Sequence, residues 1–207
     1  VGMPTNFVQT IDAGGGHDFL VVSGSTAHDD LTVTSPASST VRLAQTNAPA
    51  NYVQATHLEE LDVDLGAGAD QITINPLAGS GVQLVSVNAG QTVTDTGQSQ
   101  LVTDPDNPNG KVRQEIVTTS PDNAADTITI NGGSSADSFT VTAADPVNGR
   151  MTDVRVLHTG DADVIVSKQI RNEGDNLVIN GNGGNDRIDA SGLGGDGTPT
   201  VFPDLIA

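Results

Sequence analysis

The chain has 207 residues, 8 of them Lys or Arg and 26 Asp or Glu, for a net charge of −18. That balance argues against nucleic acid and anionic membranes as partners and is compatible with bound cations. There is no cysteine for disulfides or thiolate metal sites, and aromatic residues are 2% of the chain, which argues against the ring platforms of a sugar-binding groove.

No run of about 18 apolar residues occurs, so nothing reads as a membrane-spanning helix. Apolar residues alternate instead with Thr, Ser, Asp or Asn at period two, the pattern of half-buried strands. In chain order the clear cases are Leu31-Thr-Val-Thr, Leu61-Asp-Val-Asp-Leu65, Ile72-Thr-Ile74, Ile128-Thr-Ile130, Phe139-Thr-Val141, Val164-Ile-Val166 and Leu177-Val-Ile179. Clusters of Gly, Asn, Asp and Ser between them mark turns. The chain is predicted to be all-β, with a core of stacked Val, Ile and Leu.

Acidic residues stand just ahead of strands at Asp18, Asp30, Glu60, Asp70, Asp126, Asp137, Asp153, Asp163, Asp175 and Asp186, and Asp196 continues the series. Most neighbouring steps are about 10 to 12 residues, the length of a strand of about five plus a turn of about six. A fixed strand-turn period with an acid at one phase predicts a parallel β-helix or β-roll-like solenoid, one elongated segment over residues 1–207. The alternative is a β-sandwich, whose strands recur as often. Two stretches break the rhythm, 34–56 and 97–111, both rich in Pro, Asn and Ser or Asp. Proline removes ladder donors, so both read as loops or ragged coils, the first with a short strand at Val41-Arg-Leu43. The chain opens without Met and stops in the apolar Leu205-Ile-Ala207, which reads as a fragment of a longer protein.

Four glycine-rich turns end in an aspartate and run into a strand. They are Gly14-Gly-Gly-His-Asp18, Gly66-Ala-Gly-Ala-Asp70, Gly132-Gly-Ser-Ser-Ala-Asp137 and Gly181-Asn-Gly-Gly-Asn-Asp186, with Gly192-Leu-Gly-Gly-Asp196 a fifth turn lacking its strand. Such turns can aim carbonyls and a carboxylate at one point, the all-oxygen cage that Ca²⁺ prefers. They resemble the hemolysin-type calcium repeat of the RTX family, G-G-x-G-x-D followed by an apolar-x strand. That family comprises secreted bacterial toxins, exoproteases and surface adhesins, in which Ca²⁺ lies between coils of a parallel β-roll. The resemblance implies Ca²⁺ as cofactor, with Asp18, Asp70, Asp137, Asp186, Asp196, Gly181 and Gly183 as ligands. It also implies an extracellular or bacterial cell-surface location.

Other constellations are weaker. Asp104-x-Asp106 with Glu115 has the outline of an EF-hand loop, but Pro108 and Asn109 stand where a ligand and glycine belong. The pairs Asp62/Asp64 and Asp161/Asp163 could serve as acid and base in a glycosidase. Exposed strand faces explain them better, and the few Lys and Arg are scattered. His17, His28, His57 and His158 have no metal-ligand spacing and read as turn or surface residues. No nucleophile motif or phosphate loop is present, so no catalytic residue is assigned. The expected function is structural and non-enzymatic: a rigid, calcium-stabilised spacer or the subunit of a surface fibre, able to associate end to end. The alternatives are an adhesin segment that binds a glycan or host protein, and a β-helix polysaccharide lyase or hydrolase.

Overall fold

The computed structural model describes residues 7–89, 91–104, 107–121, 124–143, 154–167, 174–193 and 204–206. Every regular element among them is a strand. The chain starts in β1 (Val8–Asp12) and crosses to a second sheet as β2 (Phe19–Ser25). It returns to the first sheet as β3 (Asp30–Ala37) and doubles back twice, through β4 (Thr40–Gln45) and β5 (Ala48–Thr56). β6 (Glu60–Gly66), β7 (Gln71–Ile74) and β8 (Leu84–Asn88) then alternate between second, first and second sheets. An antiparallel hairpin follows, β9 (Gln91–Asp104) with β10 (Asn107–Pro121). β11 (Thr127–Asn131) rejoins the first sheet. β12 (Ser138–Ala143), β13 (Val154–His158) and β14 (Asp163–Ser167) zigzag through the second sheet. β15 (Asn176–Asn180), β16 (Arg187–Gly192) and β17 (Asp204–Ile206) resume the alternation.

Two mixed sheets result, ordered β1-β5-β4-β3-β7-β11-β15-β17 and β16-β12-β13-β14-β8-β6-β2. Neighbours within each sheet are parallel except where β4 and β13 are involved. Parallel pairing here needs no helical crossover, because the chain reaches the next strand through the opposite sheet. The register stacks like on like. Leu31, Ile72, Ile128 and Leu177 form one row, and Val33, Ile74, Ile130 and Ile179 the next. In the second sheet Leu20, Leu61, Val85 and Val164 align, as do Val22, Val63, Val87 and Val166. A one-residue slip would turn every such row outward, so burial fixes the register.

These rows form a single apolar cluster shared by both sheets, with the large side chains Phe139, Leu43, Leu61, Leu65 and Ile72 fully buried. The prediction of an all-β chain with an aliphatic core holds. The architecture is two facing sheets of mixed direction, a sandwich-like layout that matches the alternative weighed against a solenoid.

The stretch 34–56 holds the strand expected at Val41-Arg-Leu43, and the rest of it is not a loop. Thr40-Val-Arg-Leu-Ala-Gln45 forms β4, with Val41 and Leu43 in the core, and Asn51-Tyr-Val-Gln-Ala-Thr56 alternates buried and half-buried as the paired part of β5. Pro36 falls in the register shift between the Thr34 and Ala37 pairs, and Pro49 ahead of Tyr52, where pairing with β1 begins. Neither position needs a ladder N–H, so the prolines are tolerated. The stretch 97–111, also read as irregular, falls within β9 and β10 apart from residues 105–106, which lie outside the described residues.

Candidate functional site

The strands of a parallel ladder end with a backbone N–H that has no neighbouring carbonyl to reach. In this chain a carboxylate from the next strand supplies the acceptor. Asp29 N–H donates to Asp70 Oδ1 at 2.7 Å, Asp70 N–H to Asp126 Oδ1 at 2.7 Å, and Asp126 N–H to Asp175 Oδ1 at 3.0 Å. All four residues are buried, and they form a row at the entry to β3, β7, β11 and β15. The main chain answers in return: Gln71 N–H donates to Asp29 O, Thr127 N–H to Asp70 O and Asn176 N–H to Asp126 O. Each rung therefore extends the ladder by one residue, with a net worth of about 1–2 kcal/mol per bond.

The same device serves the second sheet. Asp18 N–H donates to Glu59 Oε2, and Asp137 N–H to Asp186 Oδ1, each at 2.9 Å. Within some turns the other carboxylate oxygen reaches backwards. Ser25 N–H donates to Asp29 Oδ2 at 2.6 Å and Gly133 N–H to Asp137 Oδ2 at 2.7 Å. At the far end of the first-sheet strands an amide row runs alongside: Asn180 Nδ2 donates to Asn131 Oδ1, and Asn131 Nδ2 to Asn75 Oδ1.

Turn shape explains the glycines. Positive φ occurs four and two residues before the acid in three turns: Gly14 and Gly16, Gly66 and Gly68, Asn182 and Gly184. Asn182 tolerates the left-handed region where the other turns use glycine. At Gly181 a Cβ would lie 2.4 Å from Asp186 Oδ2, so the folded-back carboxylate requires a bare backbone there.

The seven predicted metal ligands do not converge on one place. Asp137, Asp186, Gly181 and Gly183 share two adjacent turns, where Gly183 N–H donates to Gly133 O. Asp18 lies at the opposite edge of the second sheet, and Asp70 in the first-sheet row. Asp196 lies outside the described residues. The chemistry at Asp137 does not suit a cation. Its Oδ2 accepts Gly133 N–H, and its Oδ1 lies 2.9 Å from His158 Nε2. Donors point at this carboxylate where a Ca²⁺ site needs further oxygens. Among the described residues no group of three or more His, Asp or Glu is arranged to hold a metal ion.

Reading the acids one phase late missed two rungs. Asp29 and Glu59 hold the ladder, not Asp30 and Glu60. Asp163 is also off the row: it sits outward on β14 and pairs with Arg155 at 2.7 Å. Asp62 and Asp64 face outward on β6, as expected of a strand face. Asp161 does not. Its carboxylate accepts Leu77 N–H at 2.9 and 3.0 Å and Ala162 N–H at 2.7 Å, tying the β13–β14 turn to the β7–β8 connection.

His158 is likewise no surface residue. Its side chain is 5% exposed, stacks on Phe139 with ring centroids 4.2 Å apart, and has Asp161 Oδ2 3.8 Å from Nδ1. Replacing it, as in His158→Leu, leaves Asp137 Oδ1 without this partner in a largely buried site. A loss of about 1–3 kcal/mol is expected in urea denaturation. An unchanged midpoint would show that the contact contributes nothing.

Beside this cluster lies an open groove of about 470 Å³ between the β3–β4 turn, the β7–β8 connection and the β13–β14 turn. Its walls include Ser39, Gly79, Gly81, Gln83, Asp161 and Asp163, and none of its lining residues is aromatic. Its lining offers neither the ring platform of a sugar site nor a His, Lys or Arg side chain. Compared with known proteins, the chain matches no family model, no curated protein and no solved structure. What it defines by itself is an all-β, two-sheet protein whose strand entries are stapled by carboxylates.

Proposed function

We propose that the chain is a structural β-solenoid segment, a rigid spacer within a secreted bacterial surface protein. The observation that supports this reading is the unbroken row from Asp29 through Asp70 and Asp126 to Asp175, one rung per strand. A repeated contact of one kind along an axis suits a mechanical task, because each coil bears on its neighbours through the same bonds. An enzyme gathers a few unlike groups in a pocket instead. The extracellular location rests on the resemblance of the Gly-Asp turns to secreted calcium-repeat proteins.

The staples are amide-to-carboxylate bonds, so the fold does not depend on calcium in this reading. Thermal melting in EDTA and in millimolar Ca²⁺ is expected to superimpose. A ligand that binds only the folded state raises the melting point by mass action, so a shift of several degrees with Ca²⁺ would restore the metal to the account. Incubation with acidic and neutral polysaccharides is expected to release no product. Turnover above background would replace the spacer with the β-helix enzyme alternative.

A further inference from the structure

The rungs have a direction, and their two ends are complementary. In the second sheet each N–H points from β2 toward β6 and from β12 toward β16. At the β2 edge the series therefore ends in an acceptor, the Asp18 carboxylate, neither oxygen of which takes a hydrogen bond from any described residue. At the β16 edge it ends in a donor, the Asp186 N–H, which has no acceptor among the described residues. We infer that the β2 edge is a docking face for the β16 edge of a second copy of this chain, with Asp186 N–H of one copy donating to Asp18 of the next.

Two further observations fit that seat. The turn at Gly184 is pressed by the turn of the neighbouring strand: a Cβ there would lie 2.5 Å from the Ser135 backbone. At Gly68 it would lie 2.9 Å from Ala27. The equivalent Gly14-Gly-Gly16 turn has the same pattern of positive φ but no neighbour among the described residues, with nothing within 4 Å of a Cβ at Gly14 or Gly15. The same end carries the exposed large apolar residues of the described chain, Val8 at 55%, Phe19 at 67% and Val21 at 55%. Behind them Ile11, Ala13, Leu20 and Val22 are only partly covered. Among the described residues β1 and β2 are edge strands, paired on one side only, and an unpaired edge is a template for another strand. Parallel strands translated along the axis close no ring, so the assembly is an open head-to-tail filament.

Net charge opposes this joint. Each copy carries −18, so association is expected to strengthen with added salt, as screening relieves the repulsion. The test is sedimentation velocity of the 207-residue chain across a concentration series in moderate salt. The wild-type sedimentation coefficient should rise with concentration. Gly15→Arg fills the seat from a position with no neighbour among the described residues, so it should melt like wild type and stay monomeric. Because its β16 edge is intact, Gly15→Arg should also cap wild-type filaments and shorten them. If that variant fails to fold, Asp18→Ala removes the acceptor alone and should raise the concentration needed for assembly. A wild-type chain that stays monomeric, or a folded Gly15→Arg that assembles or fails to shorten wild-type filaments, would overturn the inference. The docking face extends the spacer reading without carrying it: a monomer with intact rungs and no polysaccharide turnover would leave that reading standing.

Discussion

Asp126→Ala is expected to cost about 3 kcal/mol, read as a fall in the urea midpoint with an unchanged slope. Asp126 is fully buried in the middle of the row and accepts Asp70 N–H at 2.7 Å. Alanine leaves that N–H buried with no acceptor, which costs about 1–3 kcal/mol, and opens a void where the carboxyl stood. A competing effect has the opposite sign. Two ionised carboxylates about 5 Å apart repel by about 3 kcal/mol at an effective dielectric of about 20, so removing one acid from a row can relieve strain. The bonds should win because an N–H dipole lies between successive carboxyls and offsets the repulsion. Asp30→Ala, on the outward side of the same strand entry, should change stability by less than about 0.5 kcal/mol. A rung alanine that stabilised the chain would show the row to be a strained acidic cluster and not a staple.

Gly184→Ala should be comparably damaging, at about 3 kcal/mol, by a different route. Its φ of +122° lies beyond the left-handed region that side chains tolerate, and its Cβ would overlap the Ser135 backbone at 2.5 Å. Backbone cannot move aside as the end of a side chain can. Gly14→Ala, at φ +90° with open space around it, carries the conformational cost without the overlap. Measured on dilute monomer, the difference between the two isolates the pressing of one turn upon the next. Equal losses would mean that only dihedral strain matters and that the turns do not bear on each other.

Much of this arrangement was legible in the residues. Alternation placed nearly every inward side chain correctly, and the acid before the strand was a true signal. A sharper form of it was available. Each rung acid sits two residues ahead of the first inward apolar side chain: Asp29 before Leu31, Glu59 before Leu61, Asp70 before Ile72, Asp126 before Ile128, Asp137 before Phe139 and Asp175 before Leu177. Period two demands that spacing, because the acid must face inward to reach its neighbour. Asp30, Glu60 and Asp163 fail the rule and are not rungs.

The zigzags β3–β4–β5 and β12–β13–β14 were not legible, because antiparallel doubling within one sheet depends on distant partners. The buried roles of His158 and Asp161 were hidden for the same reason. Their partners Asp137 and Leu77 lie 21 and 84 residues away. The turn composition behind the calcium expectation also meets a second need. Positive φ and a folded-back carboxylate call for Gly and Asp whether or not a cation binds.

The most direct test of the staple is amide hydrogen exchange at Asp29, Asp70 and Asp126. These residues precede their strands, where an amide without an acceptor would exchange as fast as an exposed turn. Bonded to buried carboxylates, the three N–H groups should exchange only with global unfolding, as slowly as the strand amides of Ile72 and Ile128. Fast exchange at Asp70 and Asp126, with Ile72 and Ile128 still protected, would contradict the ladder.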